Sequence, residues 1–369
     1  MKVLDQHVTD RFAAYHGDCI DVLRGLPDES VHYSIFSPPF ASLYTYSASP
    51  RDMGNCGSHA EFFEQFRFLV PELLRVTKPG RLLSFHCMLL PTSKARDGHT
   101  GLSDFRGDLI RAFVECGWIF HSEVVIWKDP VTAMQRTKAL GLLHKTVRTN
   151  GAMSRQGIPD YLVTMRKPGA DAEPVEHSAE GDDMPVEMWQ RYASPVWVTT
   201  RGEDAEGFGV CTADIDPGDT LQHRSAREHD DERHICPLQL EVIRRGVKLW
   251  TNPGDTVLSP FMGIGSEGYV SIQMGRRFVG AELKRSYFDQ AVRNLGEASP
   301  ETSRQLSCRL TTSEIKSVDG TPLFSTVFFE GTPANPYGAP FKNKLTTSEA
   351  EALAHHAKTA EAVRAGWKT

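Results

Sequence analysis

Residues 254–295 read GDTVLSPFMGIGSEGYVSIQMGRRFVGAELKRSYFDQAVRNL. A strand (Thr256 to Leu258), a glycine turn, a helix (Glu267 to Met274), a second strand ending at Glu282 and a further helix follow in order. This is one βαβ unit. Gly263 and Gly265 let the backbone turn sharply and leave room for a ligand close to the main chain. Glu282 stands where a carboxylate can accept both hydroxyls of a ribose, as acids do in dinucleotide folds. The plainer alternative is a tight turn with Glu282 capping the next helix. The turn has neither a third glycine nor a Gly-Lys-Ser/Thr ending, so it suits a nucleoside without pyrophosphate better than NAD or ATP.

Outward from this unit, strand and helix keep alternating. Residues 237–250, PLQLEVIRRGVKLW, read as a helix with Pro237 in its first turn. Nearer the N-terminus, Asp18 to Leu26 reads as a short helix and Val31 to Phe36 as a buried strand. His59 to Gly80 reads as an amphipathic helix stopped by Lys78-Pro79-Gly80, with Pro71 set to kink or divide it. RLLSFHCMLL, residues 81–90, is another buried strand, followed by a helix ending at Gly117 and a strand reaching Trp127. The pattern predicts an α/β fold with a mostly parallel sheet covered by helices.

Periodicity fades in the middle of the chain. Residues 129–167 are basic, whereas 168–190 carry acids without Lys or Arg and read as a solvated loop or linker. Beyond Glu297 the pattern is poor until an alanine-rich helix from about residue 348, with a Thr346-x-x-Glu349 capping box. The expected divisions are 1–135, 136–233, 234–296 and 297–369.

Bulk properties set limits. The net charge is −6 over 369 residues, so any nucleic-acid surface is a local patch on an acidic background. No apolar run is long enough to span a bilayer, and the first residues lack a signal-peptide core. The seven cysteines form no Cys-x-x-Cys, which fits reduced cytoplasmic thiols. No His-x-x-x-His occurs among the 14 histidines, and no metal is expected.

The strand at residues 31–36 ends on Ser37-Pro38-Pro39-Phe40. Proline cannot donate to a sheet ladder, so the strand must stop here. The tetrapeptide is either a simple turn or a rigid platform that holds something flat.

Taken together, Ser37-Pro38-Pro39-Phe40 and SPFMGIGS…GAELKRSY resemble the DNA amino-methyltransferases. These enzymes methylate cytosine N4 or adenine N6 with S-adenosylmethionine. Their catalytic tetrapeptide is Asp/Asn/Ser-Pro-Pro-Tyr/Phe and their cofactor signature is Asp-Pro-Phe-x-Gly-x-Gly. The catalytic motif comes first here, as in the circularly permuted group known as β. The likeness spans about residues 15–130 and 230–295, and more loosely resembles methylases carried by phages and prophages. It implies a Rossmann-like methyltransferase fold, with a catalytic half at 1–135 and a target-recognition insert at 136–233. A cofactor-binding half at 234–296 and a C-terminal extension complete it. Ser259 stands where the family carries Asp, which puts that contact to the cofactor's ammonium in doubt.

The resemblance implies Asp18, Cys19, Pro237, Ser259, Phe261, Gly263, Gly265, Ser266 and Glu282 at the cofactor, although Asp18 equally suits a helix N-cap. It implies Ser37, Pro38, Pro39 and Phe40 at the target base. An exocyclic amine is a poor nucleophile because its lone pair is delocalised into the ring. Ser37 Oγ and the Pro38 carbonyl can accept its N–H groups and restore that pair, while Phe40 offers a stacking face. The base must first be flipped from the duplex. Tyr44 and Tyr46 belong to the base pocket or to the core, and Arg136, Lys138, Arg148 and Arg155 follow phosphates or sit in a solvated loop. Double-stranded DNA is the implied partner. A restriction endonuclease of the same system and a dimer are open alternatives, as is a bacterial or phage-encoded origin in the cytoplasm.

Serine at the first catalytic position leans towards cytosine N4, with adenine N6 as the alternative. Cytosine C5 chemistry needs a Pro-Cys nucleophile, which the chain lacks. A protein-glutamine methyltransferase and a non-catalytic DNA-binding relative are the more distant readings.

Overall fold

The computed structural model describes residues 2–40, 49, 51–130, 144–153, 156–171, 173–177, 183–199, 215–221 and 238–299, and strands at 307–316, 322–331 and 340–346. Residues 1–300 form one compact unit and 301–369 a second.

In the first unit the elements run β1 (Asp5–Val8), β2 (Phe12–His16), α1 (Cys19–Arg24), β3 (Val31–Phe36), α2 (His59–Val76), β4 (Thr77–Met88), β5 (Leu90–Thr92), α3 (Lys94–Asp97), β6 (Gly101–Ser103), α4 (Phe105–Glu115) and β7 (Ile119–Trp127). They continue as α5 (His144–Asn150), β8 (Asp160–Arg166), α6 (Val186–Tyr192), β9 (Val196–Val198), α7 (Leu240–Trp250), β10 (Thr256–Ser259), α8 (Ser266–Gln273), β11 (Arg277–Glu282) and α9 (Arg285–Glu297). One nine-stranded sheet has the order β1-β2-β11-β10-β3-β4-β8-β7-β9. Its middle, from β2 through β11, β10 and β3 to β4, is all parallel.

Central strands buried on both faces become nearly continuous apolar runs, and β3 is such a strand. On one face α1, α2 and α4 bury Leu23, Phe66, Leu73 and Phe113. On the other, α7, α8 and α9 bury Val242, Val270 and Ala291. Helices therefore cover both faces, as the alternating pattern predicts.

Several local expectations need correction. α2 starts at a built cap: Ser58 Oγ accepts the Glu61 N–H, and Glu61 answers by accepting from Gly57. It then runs unbroken through Pro71, because Phe62, Phe66, Leu69 and Leu73 bury one face and outweigh the lost rung. The helix ends at Val76, and Lys78-Pro79-Gly80 opens β4 rather than stopping the helix. Gly80 has φ +75°, and a Cβ there would lie 2.6 Å from the Asp171 backbone N. α7 begins at Leu240, beyond the expected start, and Pro237 lies outside the described residues.

Two strands come from the stretch that showed no period. β8 inserts antiparallel between β4 and β7, and β9 adds to the β7 edge. The described residues of the second unit form three antiparallel strands, β12 (Ser307–Lys316), β13 (Pro322–Gly331) and β14 (Pro340–Thr346). Thr346 thus ends a strand, and the expected helix after it lies outside the described residues.

Candidate active site

The chain leaves β3 towards β4 on one side and β10 towards β11 on the other. Strand order reverses between β3 and β10, and the carboxyl ends of strands at such a point open a crevice for ligands. The register, Tyr33 beside Val257 and Ser34 beside Leu258, brings both strands to the same edge. Ser37-Pro38-Pro39-Phe40 leaves one strand there, and Pro260 to Gly265 leaves its neighbour. Phe36 and Phe261 join the two segments, with ring centroids 5.9 Å apart.

Around the glycine turn, Gly263 has φ +54° and Gly265 φ +88°, a left-handed backbone that side chains resist. A Cβ on Gly263 would meet nothing within 4 Å among the described residues, so the turn is open towards them. Glu282 ties the turn down: Oε2 accepts the Gly263 N–H and Oε1 the Lys284 N–H, each at 2.8 Å. Burial pushes its carboxyl up to about 7, against the pull of those two amides. Glu267, in the first turn of α8, is pushed up to about 8, again by burial first. Ser259 is fully buried and its Oγ has no hydrogen-bond partner among the described residues. Ser266 begins α8 and is buried.

The parallel pairing of β2 with β11 sets Glu282 beside His16, so Asp18 and Cys19 emerge at the same edge. Asp18 caps α1, accepting from Ile20 and Asp21. Cys19 is buried, and burial drives its thiol far above the ordinary value. The open turn, a ribose-suited carboxylate and an orphaned buried hydroxyl fit the nucleoside methyl donor that the resemblance implies. Glu282 would hold its ribose side, and Ser259 would offer a weaker acceptor than the usual carboxylate.

Across the crevice, Ser37 Oγ lies 3.1 Å from His86 Nδ1, a residue of β4. His86 Nε2 lies 3.0 Å from Asp160 Oδ2 on β8, an ion-pair distance at an angle short of a linear hydrogen bond. Lys128, just beyond β7, donates to Asp160 Oδ1 at 2.5 Å. Burial raises the Asp160 carboxyl, but the charges of His86 and Lys128 more than offset this and leave it below its ordinary value. Phe40 sets its ring edgewise to His86 and Phe105, with centroids 6.3 and 6.2 Å away. Pro38 is buried, and Pro39 and Phe40 are partly so.

Ser37, Pro38, Pro39, Phe40, Asp18, Cys19, Ser259, Phe261, Gly263, Gly265, Ser266 and Glu282 therefore share one edge of the sheet. Arg148 is exposed on α5, while Tyr44, Tyr46, Arg136, Lys138 and Arg155 lie outside the described residues. His86, Asp160 and Lys128 had no local motif to announce them; each sits at or beside the end of a different strand. At the opposite ends of β3 and β10, His32, Glu173 and Asp255 bring ligand atoms within 4.8 Å of one another. Lys78 and Arg81 already pair with those carboxylates.

A DNA methylase family covering the N6 and N4 enzymes matches residues 31–293. The type II methyltransferase M1.MboII of Moraxella bovis is 32% identical over 286 residues, spanning 74% of this chain and 92% of its own length. M.Cfr9I of Citrobacter freundii is 28% identical, spanning 76% and 86%. Among solved structures, TTHA0409 of Thermus thermophilus, complexed with S-adenosyl-L-methionine, superposes with a TM-score of 0.55 at 22% identity, over 79% of this chain and 96% of that one. The cytosine-N4-specific PvuII DNA methyltransferase gives 0.52 at 15%, over 79% and 90%. These two likenesses speak for a shared fold. The family match takes in both the Ser37 strand and the glycine turn with Glu282, and the chain belongs to the N6/N4 DNA methylase family.

Proposed function

We propose that this chain moves the methyl group of S-adenosyl-L-methionine to N4 of a cytosine flipped out of double-stranded DNA. The observation that carries this reading is the adjacency of Ser37 and the glycine turn at the carboxyl ends of neighbouring parallel strands. The bound donor supplies an electrophilic sulfonium methyl. Ser37 Oγ and the Pro38 carbonyl accept the amine's N–H groups and draw its lone pair out of conjugation. Pro38 and Pro39 hold that carbonyl with little freedom to lose. Phe40 stacks on the extruded base. Alignment and lone-pair exposure then account for most of the rate, and no covalent enzyme intermediate is needed.

Serine rather than Asp or Asn at residue 37 supports cytosine over adenine. Adenine N6 is the second reading, favoured by a 93-residue match at 33% identity to the Escherichia coli DNA adenine methyltransferase YhdJ.

The test is transfer of labelled methyl to double-stranded DNA, followed by mass spectrometry of the digested nucleosides. N4-methylcytosine is expected; N6-methyladenine would replace the base and keep the chemistry. Ser37→Ala is expected to slow transfer by roughly 10²-fold or more. Transfer at an unchanged rate in that variant would overturn the role of Ser37.

A further inference from the structure

We propose that His86 is a positioning residue for methyl transfer, setting the direction of the Ser37 hydroxyl and taking its proton as the base amine is methylated. The proposal rests on the reading of Ser37 given above.

Ser37 Oγ can accept an N–H from the base only if its own hydrogen points elsewhere. Among the described residues, the neighbour within reach is His86 Nδ1, 3.1 Å away, and it can accept only when unprotonated. That tautomer carries its hydrogen on Nε2, which faces the Asp160 carboxylate at 3.0 Å. A carboxylate beside one ring nitrogen fixes the tautomer of the other. Lys128 holds the second Asp160 oxygen, so the acid is kept in place by a cation as well as by the imidazole. Ser37 follows β3, His86 belongs to β4, Asp160 begins β8 and Lys128 follows β7, so adjoining strands of one sheet set the geometry. Farther out, the Arg106–Glu123 ion pair and Asp104 act on the neighbouring Cys87 thiol.

The step balances. The N–CH3 bond forms as the S–CH3 bond breaks, with that electron pair staying on sulfur. The methylated nitrogen gives one proton to Ser37 Oγ, which passes its own proton to His86 Nδ1. The resulting imidazolium faces the Asp160 carboxylate. When His86 is protonated beforehand, Nδ1–H donates to Ser37 and the hydroxyl hydrogen turns towards the base. A donor then meets a donor, and the amine loses its acceptor.

The experiment compares single-turnover transfer from S-adenosyl-L-methionine to DNA between pH 5.5 and 8.5 in wild type, His86→Asn, Asp160→Asn and Ser37→Ala. Melting curves and calorimetric cofactor affinity accompany each variant. Wild type is expected to lose rate on the acid side. His86→Asn is expected to be about 10- to 100-fold slower at pH 8 with that acid limb gone and cofactor affinity within about twofold. Asp160→Asn keeps the imidazole but removes the carboxylate that fixes its tautomer, and is expected to slow transfer with cofactor affinity within about twofold. Retention in His86→Asn of both the wild-type rate and its acid limb would overturn the relay. If Ser37→Ala were slow in that case, the reading of Ser37 would survive; if Ser37→Ala were also unimpaired, both would fall.

Discussion

Glu282 Oε2 accepts the backbone N–H of Gly263 at 2.8 Å, so the carboxylate that ends β11 fixes the turn that follows β10. Sequence spacing suggests a ribose ligand for this acid. In the folded chain it also tethers the loop on which that ligand would rest. Glu282→Ala should therefore lose a ribose contact and loosen the turn together. A charged hydrogen bond contributes about 1.5–3 kcal/mol, so cofactor affinity should fall roughly 10- to 150-fold. Isothermal calorimetry measures it, and wild-type affinity in the variant would remove Glu282 from the site.

Two glycines of the turn should respond differently to alanine. At Gly265, with φ +88°, a new Cβ would sit 3.3 Å from the Ala291 Cβ and 3.4 Å from the Leu295 Cγ. Left-handed backbone costs an L-residue about 1–2 kcal/mol before that crowding is added. Gly265→Ala should thus lower stability in urea melts by at least that amount. Gly263→Ala, at φ +54°, carries the same backbone cost but meets no neighbour among the described residues, and its methyl points into the open side of the turn. It should spare packing and weaken cofactor binding, so equal stability losses with unchanged binding would contradict the distinction.

Burial lifts the Glu267 carboxyl from its ordinary value of 4.5 to about 8. Between those values the folded chain holds a proton that the unfolded chain has released. Stability should therefore fall as pH rises through that window, by about 3–4 kcal/mol from this group. Glu267→Gln stays neutral throughout, so it should match wild type near pH 4 and exceed it at pH 8. Denaturant melts at both values check this, and parallel pH curves for the two proteins would refute it.

Arg81 is 2% exposed, donates to the His32 and Glu173 carbonyls and pairs with buried Asp255. Arg81→Met should cost about 3–5 kcal/mol, because it leaves the buried Asp255 carboxylate without its guanidinium partner. Asp255→Asn added to it should recover part of that loss. A double-mutant cycle with strictly additive effects would show that the pair is not coupled.

What the sequence reveals about this molecule depends on how far a signal extends along the chain. The β10–α8–β11 unit and the stop at Ser37-Pro38-Pro39-Phe40 are legible because turn glycines, prolines and apolar runs act on neighbouring residues. The His86–Asp160–Lys128 group is not, since its members converge only when β8 threads between β4 and β7. β8 itself, DYLVTMR, is a short apolar run within a basic stretch, and short runs carry no period by which to recognise them. Pro71 misleads in the other direction. Local rules favour a break there, and the buried phenylalanines and leucines of α2 override them.

The pairing of Tyr33 with Val257 has a consequence for how the protein is made. His32 and Thr256 beside them are 224 residues apart. At about 5–20 residues per second, the ribosome takes roughly 10–45 s to deliver the partner of β3. Until then a largely buried strand keeps one edge bare in a crowded cell, where it is a template for pairing with the wrong chain.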